Sequence, residues 1–216
     1  MKSILVIGMG ILGRHLAGKM QSLGNEVLIV DKDEDIIQEL SIQFPNSIAG
    51  DCTNEDVLRS IGVNNFEECF VAIGEDFYAS LEITSILKDL GAKHVISKAK
   101  LQKQAEFLRK IGADEVFSPE KEIAERLAMR FTADNIYDYV ELTEEYSIFE
   151  IPILKQWIGK ALMDIDVRNK YHINIIAVKN TGFFDQMPGG EYVFKDGDHI
   201  VVIGQANTIF KLTAKL

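Results

Sequence analysis

Three closely spaced glycines, Gly8, Gly10 and Gly13, are followed directly by Arg14, and Asp31 stands 18 residues beyond the last glycine. The chemistry such a set can do is the holding of an anion. Glycines let a backbone turn tightly and let N–H groups approach phosphate oxygens, while an acid roughly 20 residues on is placed to accept from a ribose hydroxyl. Each glycine in regular structure costs roughly 0.5–1 kcal/mol against alanine, so three in six residues need a local reason. Packing accounts for Gly8 and Gly13; Gly10 needs the close approach of a pyrophosphate. Arg14 would sit in a first helical turn, where the helix dipole disfavours a cation by roughly 0.3–1 kcal/mol unless an anion is near. A guanidinium facing phosphate oxygens resolves that conflict.

These residues need a strand, a turn, a helix and a second strand to position them. Ile4–Ile7 is an apolar β-branched run, Gly8-Met9-Gly10-Ile11-Leu12-Gly13 is the turn into a helix, and Val27–Val30 is a second apolar run closed by Asp31 and Lys32. Asp31 disfavours a 2′-phosphate by charge, and Lys32 weakens that exclusion slightly. The alternation of strand and helix then continues, as a parallel sheet requires. A helix is expected from Asp35 to Phe44, a third strand over Ser47–Ala49, and a helix carrying Val57, Leu58 and Ile61 with Thr53 and Asp56 as its capping box. Strands follow at Cys69–Ile73, His94–Ser97 and Glu115–Phe117, with helices at Ala79–Leu90 and Leu101–Ile111 between them.

The carboxyl ends of these strands form the edge at which open α/β sheets hold ligands. Asp51 at the end of the third strand is placed either to meet a nucleotide or to make a turn. Gly74 ends the fourth strand and permits close approach; Glu75 and Asp76 beyond it suit a ribose or a cation better than phosphate. Lys98 ends the fifth strand on the same rim, within reach of a phosphate. Ser118-Pro119-Glu120 opens a helix with a serine cap, a first-turn proline and an acid favourable to the dipole. Ile123, Leu127 and Phe131, with Ala124 and Ala128, mark its apolar face, which the spacing extends through Ile136, Tyr139 and Val140. That is longer than a crossover helix needs, so part of it is expected to pack on another subunit.

The fold class is therefore α/β: a Rossmann-like doubly wound parallel sheet with a second, smaller α+β domain. The divisions are a nucleotide-binding domain over 1–118, a crossover and dimerisation helix and linker over 119–140, and an α+β ligand-binding and dimerisation domain over 141–216. In the last, strands are expected at Ser147–Leu154, Ile173–Val178, Gly182–Phe184 and His199–Ile203, with helices near Lys160–Ile165 and Ala206–Leu212.

Composition limits the partners. With 23 Lys and Arg against 33 Asp and Glu, the net charge of −10 argues against nucleic acid or an anionic membrane as the main partner. No apolar run approaches the roughly 20 residues that cross a bilayer, and the early glycines make the start of the chain a strand rather than a leader. Cys52 and Cys69 read as free thiols of a reducing compartment. The four histidines lack metal-ligand spacing, and neither a Tyr-x-x-x-Lys pair nor a G-x-S-x-G elbow is present. A cofactor-binding turn is thus joined to no evident catalyst. A small NAD-dependent oxidoreductase is the alternative function; a Rossmann-type redox regulator of transcription lacks a basic recognition helix.

The chain resembles the potassium-transport regulatory subunits of the KtrA/TrkA type, whose domains are called RCK, through the stretches VIGMGILGRHLA, VLIVDKD, AGDCTNEDVL, VAIGEDFYASL, IGADEVFSPEKEIAERLA and LMDIDVRNKYHINIIAVK. The resemblance covers essentially the whole chain. It implies a non-enzymatic subunit that binds ATP, ADP or NAD(H), assembles as dimers within an octameric ring, and gates a membrane potassium-translocating subunit from the cytoplasmic face without entering the bilayer. It places Gly8, Gly10, Gly13 and Arg14 at the phosphates, Asp31 at the ribose, Asp51 and Cys52 at the adenine, Gly74 near the sugar and Lys98 beside the phosphates. Glu120 would serve a divalent or monovalent cation or a terminal phosphate. Some relatives bind cyclic di-AMP between carboxyl-terminal units, which here implicates Asp166 and Arg168 with Ile173, Asn174 and Ile175. Leu12 replaces an aromatic often found beside the third glycine, leaving ATP/ADP and NAD(H) both open.

Overall fold

The computed structural model describes residues 1–132, 135–143 and 145–214, and the chain divides into two compact units, Met1–Lys121 and Glu122–Leu216. Ala133 and Asp134, within the expected 119–140 segment, and Glu144, Lys215 and Leu216, within the expected 141–216 domain, lie outside the described residues.

The first unit alternates β1 (Ser3–Ile7), α1 (Ile11–Ser22), β2 (Glu26–Asp31), α2 (Glu34–Leu40), β3 (Ser47–Ala49), α3 (Glu55–Ile61), β4 (Glu68–Val71), α4 (Phe77–Asp89), β5 (Val95–Lys98), α5 (Gln102–Lys110) and β6 (Glu115–Phe117). Its six strands are parallel in the order β3-β2-β1-β4-β5-β6. Burial explains why β1 is central. Side chains alternate across a strand, and both faces of this one are covered. Leu5 and Ile7 pack with Leu58, Ile83 and Leu87 of α3 and α4, whereas Ile4 and Val6 pack with Met9, Ala17, Ile37 and Phe44 on the other side. The chain runs outward from β1 to β3 and returns to place β4 beside β1, so a topological switch lies at the carboxyl end of β1, where a crevice opens.

Local caps define the helices around that crevice. Asp33 caps α2 by accepting from the N–H groups of Asp35 and Ile36. The expected capping box at Thr53 is corrected: Asn54 is the cap of α3, accepting from Asp56 N–H at 3.0 Å, because the Thr53 hydroxyl is turned back to donate to Asp51. Asp76 caps α4 by accepting from Ala79 N–H at 3.0 Å.

The second unit begins within α6 (Pro119–Thr132). The apolar spacing through Ile136, Tyr139 and Val140 does not continue this helix. Asp138–Glu141 is a strand, β7, which pairs antiparallel with β8 (Tyr146–Pro152) in the register Tyr139↔Phe149. The chain continues through α7 (Leu162–Ile165), α8 (Val167–Tyr171), β9 (Asn174–Asn180), β10 (Phe183–Asp185), β11 (His199–Gln205) and α9 (Ala206–Thr213). The sheet order is β10-β9-β11-β8-β7. Alternating burial along β8 and β11 directs Phe149, Ile151, Ile200 and Val202 into a core shared with Trp157 and Phe194. Ile136 and Tyr139 belong to that core, whereas Ile123, Leu127 and Phe131 on α6 remain exposed. No helix among the described residues is long and apolar enough to cross a membrane.

Candidate functional site

A cleft of about 460 Å³ opens at the switch point of the first unit. That lies within the usual size of small-ligand sites, about 300–1,000 Å³. Its lining brings together Gly8 and Gly10, Asp31 and Lys32, the segment Gly50–Thr53, Gly74 and the start of α4.

The three glycines serve different ends. Gly8 has a φ of +95°, a left-handed conformation, and a Cβ there would meet Ile73 at 2.9 Å. A Cβ on Gly13 would come within 1.9 Å of the Gly8 carbonyl oxygen, so helix and turn touch only because no side chain intervenes. Gly10 differs. Its φ of −66° is open to any residue, and a Cβ there would meet nothing within 4 Å. No protein atom requires a glycine at this position, which lines the cleft at the start of α1. Helix starts present unpaired N–H groups and a positive dipole end, the ordinary seat of a phosphate.

Asp31 is already engaged. Its carboxylate accepts from Met9 N–H at 2.5 Å and from Asp33 N–H at 3.0 Å, tying the glycine turn to the end of β2. A carboxylate has about four lone-pair sites, so capacity for a further donor remains. Asp51, also lining the cleft, accepts from both the N–H and the hydroxyl of Thr53, and these bonds hold its carboxyl below the usual range.

Cys52 is buried in the cleft wall. Burial, and then the carboxylates of Asp51 and Asp31, push its thiol up to about 12. It is an apolar surface there and not a nucleophile. Its alkylation by iodoacetamide at pH 8 is expected to be roughly 10³-fold or more slower than that of an exposed cysteine and to keep rising above pH 10. Mass spectrometry of timed samples measures this; labelling of Cys52 at the ordinary rate would contradict it.

Other residues of the sequence reading fall outside the cleft. Arg14 donates from Nε to the Met9 carbonyl at 2.9 Å and pairs through Nη1 with Glu39 of α2 at 2.8 Å. Ile11 is exposed in the first turn of α1, and Leu12 packs toward the core on the α1–α2 face. Lys98 and Glu120 meet each other, Nζ to Oε1 at 2.6 Å, and this bond lowers the Glu120 carboxyl. A Cβ on Gly74 would approach the Lys98 Nζ at 3.2 Å, so glycine there leaves the lysine its room. Lys100 pairs with Glu75 in the same way at 2.6 Å. Among the described residues no group of three or more His, Cys, Asp or Glu side chains is arranged to hold a metal.

In the second unit, a groove of about 380 Å³ brings together Asp166, Arg168 and Ile175 with Met163, Asn169 and Pro188. Asp166 adopts a left-handed φ of 55° between α7 and α8, and its carboxylate accepts from the Asn169 amide at 2.7 Å. Two residues expected with this group stand elsewhere. Ile173 is buried in the core, under Gly204, and Asn174 is exposed at the start of β9; neither lines the groove. Asn169 falls within the Asp166–Asn169 stretch that the family resemblance implicates; Pro188 carries no pattern of its own in the sequence.

Comparison with known proteins gives a consistent picture. The TrkA-N domain model matches residues 4–119 and the TrkA-C domain model residues 147–216. The chain is 36% identical over 215 residues to the Ktr system potassium uptake protein C of Bacillus subtilis, covering 100% of this chain and 97% of that one. It is 32% identical over 208 residues to the Ktr system potassium uptake protein A of the same organism, covering 96% and 94%. Among solved structures it shares its fold with the GsuK channel bound to NAD, at a TM-score of 0.68 and 21% identity, over 96% of this chain and 38% of that one.

Proposed function

Because the chain belongs to the family of Ktr- and TrkA-type potassium uptake proteins built from a TrkA-N and a TrkA-C domain, we propose that it is the nucleotide-sensing regulatory subunit of a potassium transport system. It is not an enzyme in this reading. It works in the cytoplasm, held at the membrane by a potassium-translocating partner.

The observation that carries the proposal is Gly10: a glycine that no neighbouring protein atom requires, set at a helix start in the mouth of the cleft. A diphosphate at the α1 N-terminus accounts for it, with Gly8 and Gly13 shaping the turn, Asp31 accepting from the ribose, and Asp51 and Cys52 walling the base. ATP/ADP and NAD(H) share this diphosphate and ribose. Arg14 and Lys98 hold Glu39 and Glu120, and their remaining N–H groups are the ones phosphate oxygens would engage; a cation at Glu120 would compete with Lys98. The exposed Ile123, Leu127 and Phe131 suit burial against a second copy of the chain in a dimer of an octameric ring. The groove at Asp166, Arg168 and Ile175 is the place for cyclic di-AMP, if paired carboxyl-terminal units take it as the family resemblance implies.

Control would be a population shift. A nucleotide moves the assembly between two arrangements only by as much as it binds one better than the other. Calorimetric titration of the purified chain with ATP, ADP and NADH, with light scattering on a sizing column, tests the proposal. Saturable binding of at least one nucleotide by an even-numbered oligomer is expected. Absence of binding by all three, or turnover of the nicotinamide with a hydroxy or keto substrate, would overturn it.

A further inference from the structure

Tyr78 is the aromatic side chain that lines the cleft, and it is 83% exposed. The Asp76 cap fixes the start of α4 and so decides which side chains of the first turn face where. Ser80, Ile83, Thr84 and Leu87 point inward, and Phe77 and Leu81 pack on the apolar cluster around Ala105 and Leu108. Tyr78 and Glu82, one helical turn apart, are left to the cleft. The nearest ring is Phe77, at 6.4 Å and 50° between planes, so neither face of the Tyr78 ring is stacked by another ring of the described chain.

The same lining holds Gly50–Thr53, with the buried and uncharged Cys52 thiol, while Ile73 and Ala79 add apolar surface. Away from the glycine turn the lining carries the carboxylates of Asp51, Asp76 and Glu82, while Glu75 is paired with Lys100 and Asp31 is bound to Met9 N–H at the turn itself. Carboxylates repel phosphate. The phosphates therefore belong at the Gly8–Gly10 turn, where α1 starts, and the part of the lining that Cys52 and Tyr78 supply suits a flat, uncharged ring bearing N–H donors. We infer that Tyr78 is a positioning residue for the nucleotide base, stacking on its face and closing the base against the Gly50–Thr53 wall; this rests on the nucleotide reading given above.

An aromatic so placed adds affinity for any base, since every base has a π face, and none for a sugar phosphate. Base–aromatic stacking supports a change of about 5- to 100-fold in affinity on truncation to alanine. The test is calorimetric titration with ADP of the full chain and of Tyr78→Ala and Tyr78→Phe. Tyr78→Ala is expected to bind about 5- to 100-fold more weakly and Tyr78→Phe within about twofold of the parent, since the ring and not the hydroxyl makes the contact. A third variant, Tyr78→Trp, places an indole at the site. Its fluorescence should be quenched by ADP but not by inorganic pyrophosphate, against the background of Trp157, which is buried in the other unit. If the parent binds ADP and Tyr78→Ala binds it equally well, the stacking role is wrong and the nucleotide site stands. If Tyr78→Phe loses as much as Tyr78→Ala, or the indole signal ignores ADP, the stacking role is likewise wrong. If the parent itself binds no ADP, ATP or NADH, both readings fall together.

Discussion

Gly13→Ala is expected to destabilise the first unit by about 3 kcal/mol, at the upper end of what an added methyl in a packed interior costs. Position 13 is within α1, where alanine ordinarily gains close to 1 kcal/mol over glycine. The sign should reverse here because the new Cβ would lie 1.9 Å from the Gly8 carbonyl oxygen and 3.2 Å from the Met9 side chain. The Met9 methyl can swing aside. The Gly8 carbonyl cannot, because the Gly8 N–H is held by the Val30 carbonyl at 2.8 Å and the Met9 N–H by Asp31. Relief would require α1 to slide off β1, uncovering Ala17 and Met9, which are both fully buried. Urea denaturation followed by far-ultraviolet circular dichroism measures the loss, and the fluorescence of Trp157 reports separately on the second unit. A variant as stable as the parent, or more so, would show that the approach of helix to turn is not the reason for this glycine.

The first unit was legible because its signals are local. Apolar runs such as Ile4–Ile7 and Val27–Val30 are too short to be helices, and the acids and glycines that close them fall at one edge of a parallel sheet. What was not legible depends on contacts distant in sequence. Arg14 looked committed to phosphate because its helical position is unfavourable for a cation, yet Glu39, 25 residues on, supplies the negative charge in the chain itself. The sequence presents Lys98 and Glu120 as separate groups, and the fold makes them each other's partners, 22 residues apart. Asp31 was read as a ribose acceptor alone, and its two bonds to the N–H groups of Met9 and Asp33 give it a structural duty that no spacing rule announces.

The helix that was expected to run to Val140 failed for a different reason. Ile136, Tyr139 and Val140 are three and four residues apart, which fits one helical face, but Tyr139 and Val140 are also neighbours, which a strand places on opposite sides. Tyr139 turns inward onto Phe149, with ring centroids 5.1 Å apart, and Val140 turns out. The partner strand β8 decided between the two periods, and only the folded register Tyr139↔Phe149 reveals it. The same holds for Ile173: the family resemblance groups it with Arg168 in one ligand site, while the buried core of the second unit claims its side chain.

Gly10→Asp is expected to leave the fold intact and to remove nucleotide binding, the reverse of the effect at Gly13. Gly10 is the N-cap of α1 and has no side chain to accept from the first turn. Aspartate is among the best residues for that role, so the substitution should leave helix stability unchanged or raise it by a few tenths of a kcal/mol. Its φ of −66° is ordinary, and the new Cβ meets no protein atom within 4 Å. All of the penalty therefore falls on the ligand. A carboxylate about 4 Å from a phosphate repels it by roughly 4 kcal/mol at an effective dielectric near 20, which is a loss of affinity on the order of 10²–10³-fold. Gly10→Ala, which narrows the turn without charge, should fall between the two, because a methyl alone keeps a pyrophosphate from the backbone N–H groups. Calorimetry with ADP and thermal denaturation on the same samples separate the terms. Melting at or above the parent's temperature with binding lost is the expected result. Undiminished binding by Gly10→Asp would place the phosphates away from the glycine turn and would leave Gly10, which no neighbouring protein atom requires, without an explanation.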